Sequence, residues 1–307
     1  MTDTFDQAVH KAASIQVQSI LYQMDEESIG RALESFARAA DLAISSGHVS
    51  RVRVCYGDTS PQRSLNDENL AALRAKFSGY FELVYTFFNK NLGSARGHNT
   101  LSENADTDYL LILNPDVVVS PRLFEDLLRP FNRSKTGMVE AKQLPIEHPK
   151  SFDPVSGETG WATTACALTP TALFHQIQGF DADSFFLYCD DVDYSWRVRE
   201  AGFKVIFAAN AVVFHDKRVA KDGAWQPSSS ERRYSAEAAL IMAHKWSRPD
   251  LVAKIAAKFR RSGPDESAAV NNYDSKQSAG TLPAPRDASH KIAAFEGSFY
   301  AKHRYEL

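Results

Sequence analysis

Three aspartates in four residues, Asp190, Asp191 and Asp193, follow the apolar run Phe185-Phe186-Leu187-Tyr188-Cys189. Helical spacing continues to Ala201 and stops at Gly202. Asp190 and Asp191 therefore fall in a first turn, where the macrodipole favours the ionised form. A carboxylate held there can take a proton from a hydroxyl as a general base. Plain helix capping accounts for one such acid but not for three. Asp193 and Arg197 stand four apart and can pair along the helix. A further acid, Asp116, follows Tyr109 to Leu113, an apolar run with the length of a strand buried on both faces. Asn114-Pro115 ends that strand in a turn. Asp116 thus lies at the C-terminal edge of a strand, where open α/β sheets bind ligands, and can hold a hard cation and through it a diphosphate. A turn aspartate bonded to its own backbone would have the same local sequence.

The elements that must position these acids are legible as a series. Ser14 to Leu21 alternates and reads as a strand, Glu27 to Ile44 has one apolar helical face, and Arg51 to Tyr56 is a second strand running into Gly57-Asp58-Thr59-Ser60-Pro61. Asn66 to Phe77 is a helix and Phe81 to Thr86 a third strand. This order predicts right-handed crossovers and a mainly parallel sheet. Gly93 and Gly97 in Asn89 to Asn99 open a helix to Asn104; its N-terminus suits an anion, though close packing on the sheet would demand the same small residues. Pro121 to Arg129 is a helix, Met138 to Lys142 a strand, Pro145 to Gly160 a loop, Ala162 to Leu168 an apolar segment, and Thr169-Pro170 the start of a short helix. Lys204 to Phe214 reads as strand, brief turn and strand, ending at His215.

Composition limits the function classes. The chain has 307 residues, of which 44% are hydrophobic and 24% charged, the mixture of a globular protein. A net charge of −3 speaks against a nucleic-acid binder. No apolar run reaches membrane-spanning length, and Met1 to His10 is acidic and polar, unlike a signal peptide. Cys55, Cys166 and Cys189 form no C-x-x-C pair, which fits reduced thiols and a cytoplasmic setting. Cys189 is no nucleophile, because the neighbouring aspartates raise a thiol pKa.

The ordered set Asp58-Thr59-Ser60-Pro61, Asn91-x-Gly93 through Asn99, Asn114-Pro115-Asp116, Gly179-Phe180-Asp181, Phe185 to Asp193 and His215 resembles the inverting family 2 glycosyltransferases, in the branch that includes bacterial rhamnosyltransferases. The resemblance runs from about Ser14 to Arg218. It implies a GT-A fold, α/β with a mainly parallel central sheet flanked by helices, plus a C-terminal helical extension. It implies Asp191 as catalytic base beside Asp190, and nucleotide or donor contacts from Asp58, Asn91, Gly93, Arg96, Asn99, Asn114 and Asp116. Asp116 and His215 would hold a divalent cation, Mn2+ or Mg2+. Acceptor contacts are expected at Trp161, Thr164, Phe186 and Tyr188. The sequence departs from the family at Asp58-Thr59 (usually Asp-Asn), at Asn114 (usually the first acid of D-x-D), at His98 (often arginine) and at Thr164-Ala165 (usually with glycine). These changes bear on the donor used more than on the reaction class.

The expected organisation is a catalytic domain over 1–227, with a nucleotide half at about 14–119 and an acceptor half at about 120–227. A helical extension follows at 228–261, a flexible linker at 262–290 and a docking segment at 291–307. Pro249 to Arg261 is a basic amphipathic helix. It can lie on an anionic membrane at the inner face of the plasma membrane, pack on the catalytic domain, or join a homodimer. The leading expectation is a cytoplasmic, metal-dependent transferase of sugar from a nucleoside-diphosphate sugar to a saccharide or lipid-linked saccharide, in surface polysaccharide synthesis. A sugar-nucleotidyltransferase would show a Gly-rich basic loop where Tyr22-Gln23-Met24-Asp25-Glu26 stands. A catalytically inactive nucleotide- or glycan-binding module is the alternative of a different class.

Overall fold

The structure is a computed structural model that describes residues 12–148, 150–215 and 227–301. Strands β1 (Ala13–Leu21), β2 (Val49–Asp58), β3 (Glu82–Phe87) and β4 (Tyr109–Leu113) form the parallel half of one nine-stranded sheet. Helices α1 (Glu26–Ser45), α2 (Asp67–Phe77) and α3 (Gly93–Ser102) make the crossovers. Short β5 (Val117–Val119), β6 (Thr136–Leu144), β7 (Glu158–Thr159), β8 (Cys166–Pro170) and β9 (Lys204–His215) complete it, in the order β3-β2-β1-β4-β8-β6-β9-β5 with β7 against β9. Strands β5, β7 and β8 run against the rest, so the sheet is mixed but mostly parallel. Helices α4 (Leu123–Leu128), α5 (Thr171–Gln176) and α6 (Asp190–Glu200) cover this half.

The α1 face made by Ile29, Leu33, Phe36 and Ala40 is buried in the main core with Ile15, Val17 and Val54, as its spacing predicts. Strand β1 is buried on both faces, despite its polar alternation. Gln16 donates to the Leu101 carbonyl at 2.9 Å, and Gln18 faces buried His98 at 3.3 Å. Close packing of α3 makes this necessary. A Cβ on Gly97 would come within 2.8 Å of Ile20, so the second glycine of the motif serves helix–sheet contact.

Three local expectations differ from the structure. The brief turn expected within Lys204 to Phe214 is a bulge in the single strand β9, where the register against β6 jumps from Ala208 to Val212. Thr169-Pro170 closes β8, pairing with Leu110 and Tyr109, and the helix starts one residue later. The third concerns the linker expected over 262–290, which holds helix α9 (Pro264–Ala279). Its Ala269, Val270 and Tyr273 form a narrow apolar stripe buried against α7 (Ser229–Lys245) and α8 (Pro249–Phe259). Pro264 and Gly280, which look like linker residues, are the helix's first-turn proline and its left-handed C-terminal stop, with φ of +66° at the glycine.

Helices α7 to α9 build a second core with Trp161, Phe185 and α6, in which Trp196 of α6 meets Trp246 edge-on at 5.2 Å. Leu251, Ile255 and Phe259 of α8 are all buried there. The apolar side of this basic helix is therefore packed inside the chain and not presented to a membrane or a second copy. Among the described residues no helix is long and apolar enough to cross a membrane.

Candidate active site

Asp116 and His215 meet although they are far apart in the sequence, because β5 pairs antiparallel with the end of β9, Val117 opposite His215. Asp116 Oδ1 lies 3.3 Å from His215 Nε2, and the Asn114 amide lies 3.3 Å from the same nitrogen. On its other side His215 Nδ1 faces the Gln143 carbonyl oxygen at 2.9 Å. That oxygen only accepts, so Nδ1 carries a proton, and Nε2 is the ring nitrogen that faces Asn114 and Asp116. Gln143 is buried and is itself held by donating to Thr163 Oγ1 at 2.9 Å. This is the outer support that a metal-binding histidine requires.

Asp116 and His215 are the two groups here that suit a divalent cation: a carboxylate is a ligand for Mn2+ or Mg2+, and a neutral imidazole is a ligand for transition-metal ions. The Asn114 amide presents its nitrogen to the histidine, and a nitrogen donor of that kind is no ligand. Two adjacent ligands of an octahedral ion stand about 3 Å apart, close to the 3.3 Å between Asp116 and His215. Among the described residues no group of three or more His, Cys, Asp or Glu is placed to hold a metal ion, so a bound ion would depend on oxygens of a substrate or water for its remaining positions.

The acids of α6 have three different environments. Tyr188 and Cys189 are both left-handed, with φ of +68° and +60°, and turn the chain sharply into the helix. Asp191 is half-buried; its Oδ1 accepts from the Val192 N–H at 2.8 Å and its Oδ2 from the Thr164 N–H at 3.4 Å. Asp190 is buried and touches the Ser94 side chain. Burial, and then the charge of Asp191, raise its carboxyl from the ordinary value to about 7, so burial outweighs the helix dipole expected to keep it ionised. Asp193 is fully buried and tied to Arg197 Nε at 2.8 Å, Lys245 Nζ at 2.7 Å and Trp246 Nε1 at 3.1 Å. It is a structural acid.

The raised carboxyl of Asp190 has a consequence for stability. Its protonated form is favoured in the fold, so its contribution is fully present below the ordinary carboxylate value and is lost as pH rises through about 7. Urea denaturation at about pH 5 and about pH 8 should show wild type losing stability relative to Asp190→Asn, which has no proton to lose. Equal changes in both proteins would contradict the buried, raised carboxyl.

Residues 163–165 join the two groups. Thr163 holds Gln143, Thr164 holds Asp191, and the Ala165 carbonyl accepts from the Asn114 N–H at 3.1 Å. The acid pair and the Asp116–His215 pair are thus linked through one three-residue segment. The profile of Glycosyl transferase family 2 matches residues 22–188, more than half of the sequence. The chain belongs to this family. It is 25% identical to the N-acetylglucosaminyl-diphospho-decaprenol L-rhamnosyltransferase of two Mycobacterium tuberculosis strains, over 36% of this chain and 47% of the relative. The chain spans about half the length of these curated relatives. Among solved structures, GalNAc-T7 with UDP, GalNAc and Mn2+ has a TM-score of 0.62 at 10% identity, covering 92% of this chain and 57% of that one. The Pyrobaculum calidifontis mannosyltransferase PcManGT, with GDP-Man and Mn2+, has 0.53 at 16% identity over 90% and 82%. Staphylococcus aureus TarS 1-349 has 0.52 at 11% identity over 83% and 68%. These structures share the GT-A fold with the chain.

Other residues singled out from the family pattern have mixed surroundings. Asp58 is fully buried and accepts from the Ser60 N–H at 2.9 Å, the Ser64 N–H at 2.7 Å and the Tyr85 hydroxyl. Burial opposes its ionisation, but these hydrogen bonds hold it below the ordinary range, and the carboxylate shapes the turn that follows β2. Asn99 clamps the Phe180 backbone with both ends of its amide, at 2.8 and 2.9 Å. Gly93 is left-handed at +69°, and a Cβ there would lie 2.4 Å from the Phe186 carbonyl. The first donors of α3 are used internally: Gly93 N–H bonds Asn91 Oδ1 at 3.0 Å and Ser94 N–H bonds Phe186 O at 3.2 Å. Arg96 is exposed and pairs with Asp183 at 2.6 Å. His98 is buried, and burial pushes its pKa down to about 3, so it is neutral.

On the acceptor side, Thr164 touches Asp191, Phe186 stacks obliquely on Tyr234 at 4.9 Å, and Tyr188 donates to Glu231 at 3.2 Å. Trp161 is 5% exposed, sealed between Lys150 Nζ, 4.1 Å above its ring, and Tyr300. It is a core residue. Gln143, Thr163, Ser94 and Lys245 were not legible as site residues. No local pattern marks them, because each acts through a partner far away in the sequence.

Proposed function

We propose that the chain moves a sugar from a nucleoside-diphosphate sugar to a hydroxyl of a saccharide or lipid-linked saccharide, with inversion at the anomeric carbon, using Mn2+ or Mg2+. The observation that carries this reading is the 163–165 bridge, which links the Asp190–Asp191 pair to the Asp116–His215 pair. Asp191 takes the acceptor proton, its carboxylate held by the Thr164 and Val192 N–H groups. Asp190 stays behind it as the buried neighbour whose charge state tunes its basicity. No second carboxylate is assigned as nucleophile, so the displacement is single and inverts the centre. Asp116 and His215 would hold the cation, with Gln143 fixing the histidine ring and the Asn114 amide nitrogen beside it. A bound divalent ion there neutralises charge growing on the departing diphosphate. Support for the metal comes from GalNAc-T7 and PcManGT, both seen with Mn2+. The name of the mycobacterial relative supports a lipid-linked saccharide acceptor, and hence a place in surface polysaccharide synthesis. Free buried cysteines are in keeping with the reducing cytoplasm.

The test is release of nucleoside diphosphate from a panel of nucleotide sugars, with and without saccharide acceptors, and with Mn2+ or a chelator. Acceptor-stimulated, chelator-sensitive release is expected. Pyrophosphate release from a nucleoside triphosphate and a sugar phosphate would make the chain a nucleotidyltransferase. Donor binding with no release under any condition would make it a binding module.

A further inference from the structure

One ammonium closes a loop around the start of α6. Lys245 Nζ, on the last residue of α7, lies 2.7 Å from Asp181 Oδ2 and 2.7 Å from Asp193 Oδ1, and the lysine is buried. The two aspartates bracket the stretch 181–193, which holds Asp190 and Asp191. We propose that Lys245 is a positioning residue for the acid pair: by tying both ends of this stretch to α7, it fixes where the Asp191 carboxylate points. This rests on the transferase reading above, in which Asp191 is the base, and it gives α7 a part in presenting that base.

Backbone strain is the first argument. Tyr188 and Cys189 are consecutive left-handed residues that carry side chains. Such backbone persists only where its surroundings over-determine it. Relaxing it would redirect Asp190 and Asp191, which follow directly. The source of the restraint is the second argument. Tyr188 donates to Glu231 at 3.2 Å, Phe186 packs on Tyr234 at 4.9 Å, and the Phe185 ring lies 5.5 Å from Lys245 Nζ. Glu231, Tyr234 and Lys245 share one face of α7 and span about 20 Å of it, so the stretch is laid along a single helix. Charge is the third. Asp193 also has Arg197 Nε at 2.8 Å and the Trp246 N–H at 3.1 Å, while Arg197 spends a second donor on the Ile177 carbonyl at 2.7 Å. Asp181 accepts from the Ser184 N–H at 3.1 Å and takes its positive partner from Lys245. Removing that ammonium strands a partly buried carboxylate, which must move toward water. The movement is passed along the stretch to Asp191. The Asp116–His215 pair is held separately, by Gln143 and by the pairing of β5 with β9, so the disturbance reaches the base and spares the donor side.

The experiment compares the full wild-type chain with Lys245→Met and Asp181→Asn, at a temperature where circular dichroism shows each protein folded. Per folded molecule, Lys245→Met should lose about ten- to hundredfold in kcat, the scale of a reacting group misplaced by about an ångström. The KM for the nucleotide sugar should stay within about twofold, because no donor contact is removed. Asp181→Asn keeps the size and an oxygen for the Ser184 N–H but loses the charge, and its kcat should fall about three- to tenfold. Hydrogen exchange should quicken across 181–193 in both variants and stay at the wild-type level in β1 to β4. A role in stability alone expects a lower melting temperature with unchanged kcat per folded molecule, and that result would overturn the proposal. So would unchanged exchange across 181–193, or a loss of donor affinity as large as the loss of kcat. Should Lys245→Met not fold, Asp181→Asn decides by the same measures. Failure on these counts in a chain that still releases nucleoside diphosphate leaves the transferase reading intact. A wild-type chain that releases none from any nucleotide sugar removes that reading, and this proposal with it.

Discussion

Asp191→Asn should lower kcat by roughly two to four orders of magnitude while leaving the protein folded and its donor affinity near wild type. The side chain is nearly isosteric, and its amide oxygen can still accept from Thr164 or Val192, which hold the carboxylate at 3.4 and 2.8 Å. What it loses is the ability to accept a proton, an interaction made only in the transition state, so kcat and kcat/KM fall together. The competing view is that the acids at the start of α6 only cap the helix. It expects a loss of about 0.5–2 kcal/mol in stability and preserved turnover. Steady-state kinetics, with denaturation of the same preparation, decides between them. A folded Asp191→Asn enzyme with near wild-type turnover would remove Asp191 as the base.

Lys245→Met should cost about 3–5 kcal/mol of stability, the range for breaking a buried ion pair by removing one partner. Lys245 is 4% exposed, and its Nζ stands 2.7 Å from both Asp181 and Asp193. Methionine fills similar volume, so the loss measures stranded carboxylates more than a cavity. Asp193 retains Arg197 and the Trp246 N–H, but Asp181 loses its cation. Burial alone would raise Asp181; the Lys245 charge and hydrogen bond bring it below the ordinary carboxylate value. Its stabilising contribution is present above that ordinary value and is lost as pH falls through the lowered one, so the gap between wild type and variant should narrow in acid. Urea denaturation near neutral pH and in acid measures both effects. A loss under about 1 kcal/mol would mean that the network behaves like an exposed pair.

Elements with a local pattern were legible from the amino acids alone. Apolar runs bounded by turn residues marked β1 to β4, period 3.6 marked α1, and the acids before a helical stretch marked α6. The placement of Asp116 after a buried strand was legible because proline stops a strand wherever it sits. Tertiary structure decided what those residues touch. His215 is a partner of Asp116 only because β5 pairs with β9, and Gln143 orients it only because β6 lies alongside β9. The glycines of the Asn91 to Asn99 motif serve close contacts with Phe186 and Ile20, which no local spacing distinguishes from an anion seat. Helix α9 was hidden because its apolar stripe is three residues wide and its helix-ending glycine and proline mimic a linker. Two of the α6 acids diverged for the same reason. Burial beside Asp191 favours the protonated form of Asp190, whereas Asp193 is tied to Lys245, Arg197 and Trp246. Desolvation and distant partners set those states, and both are properties of the folded chain alone.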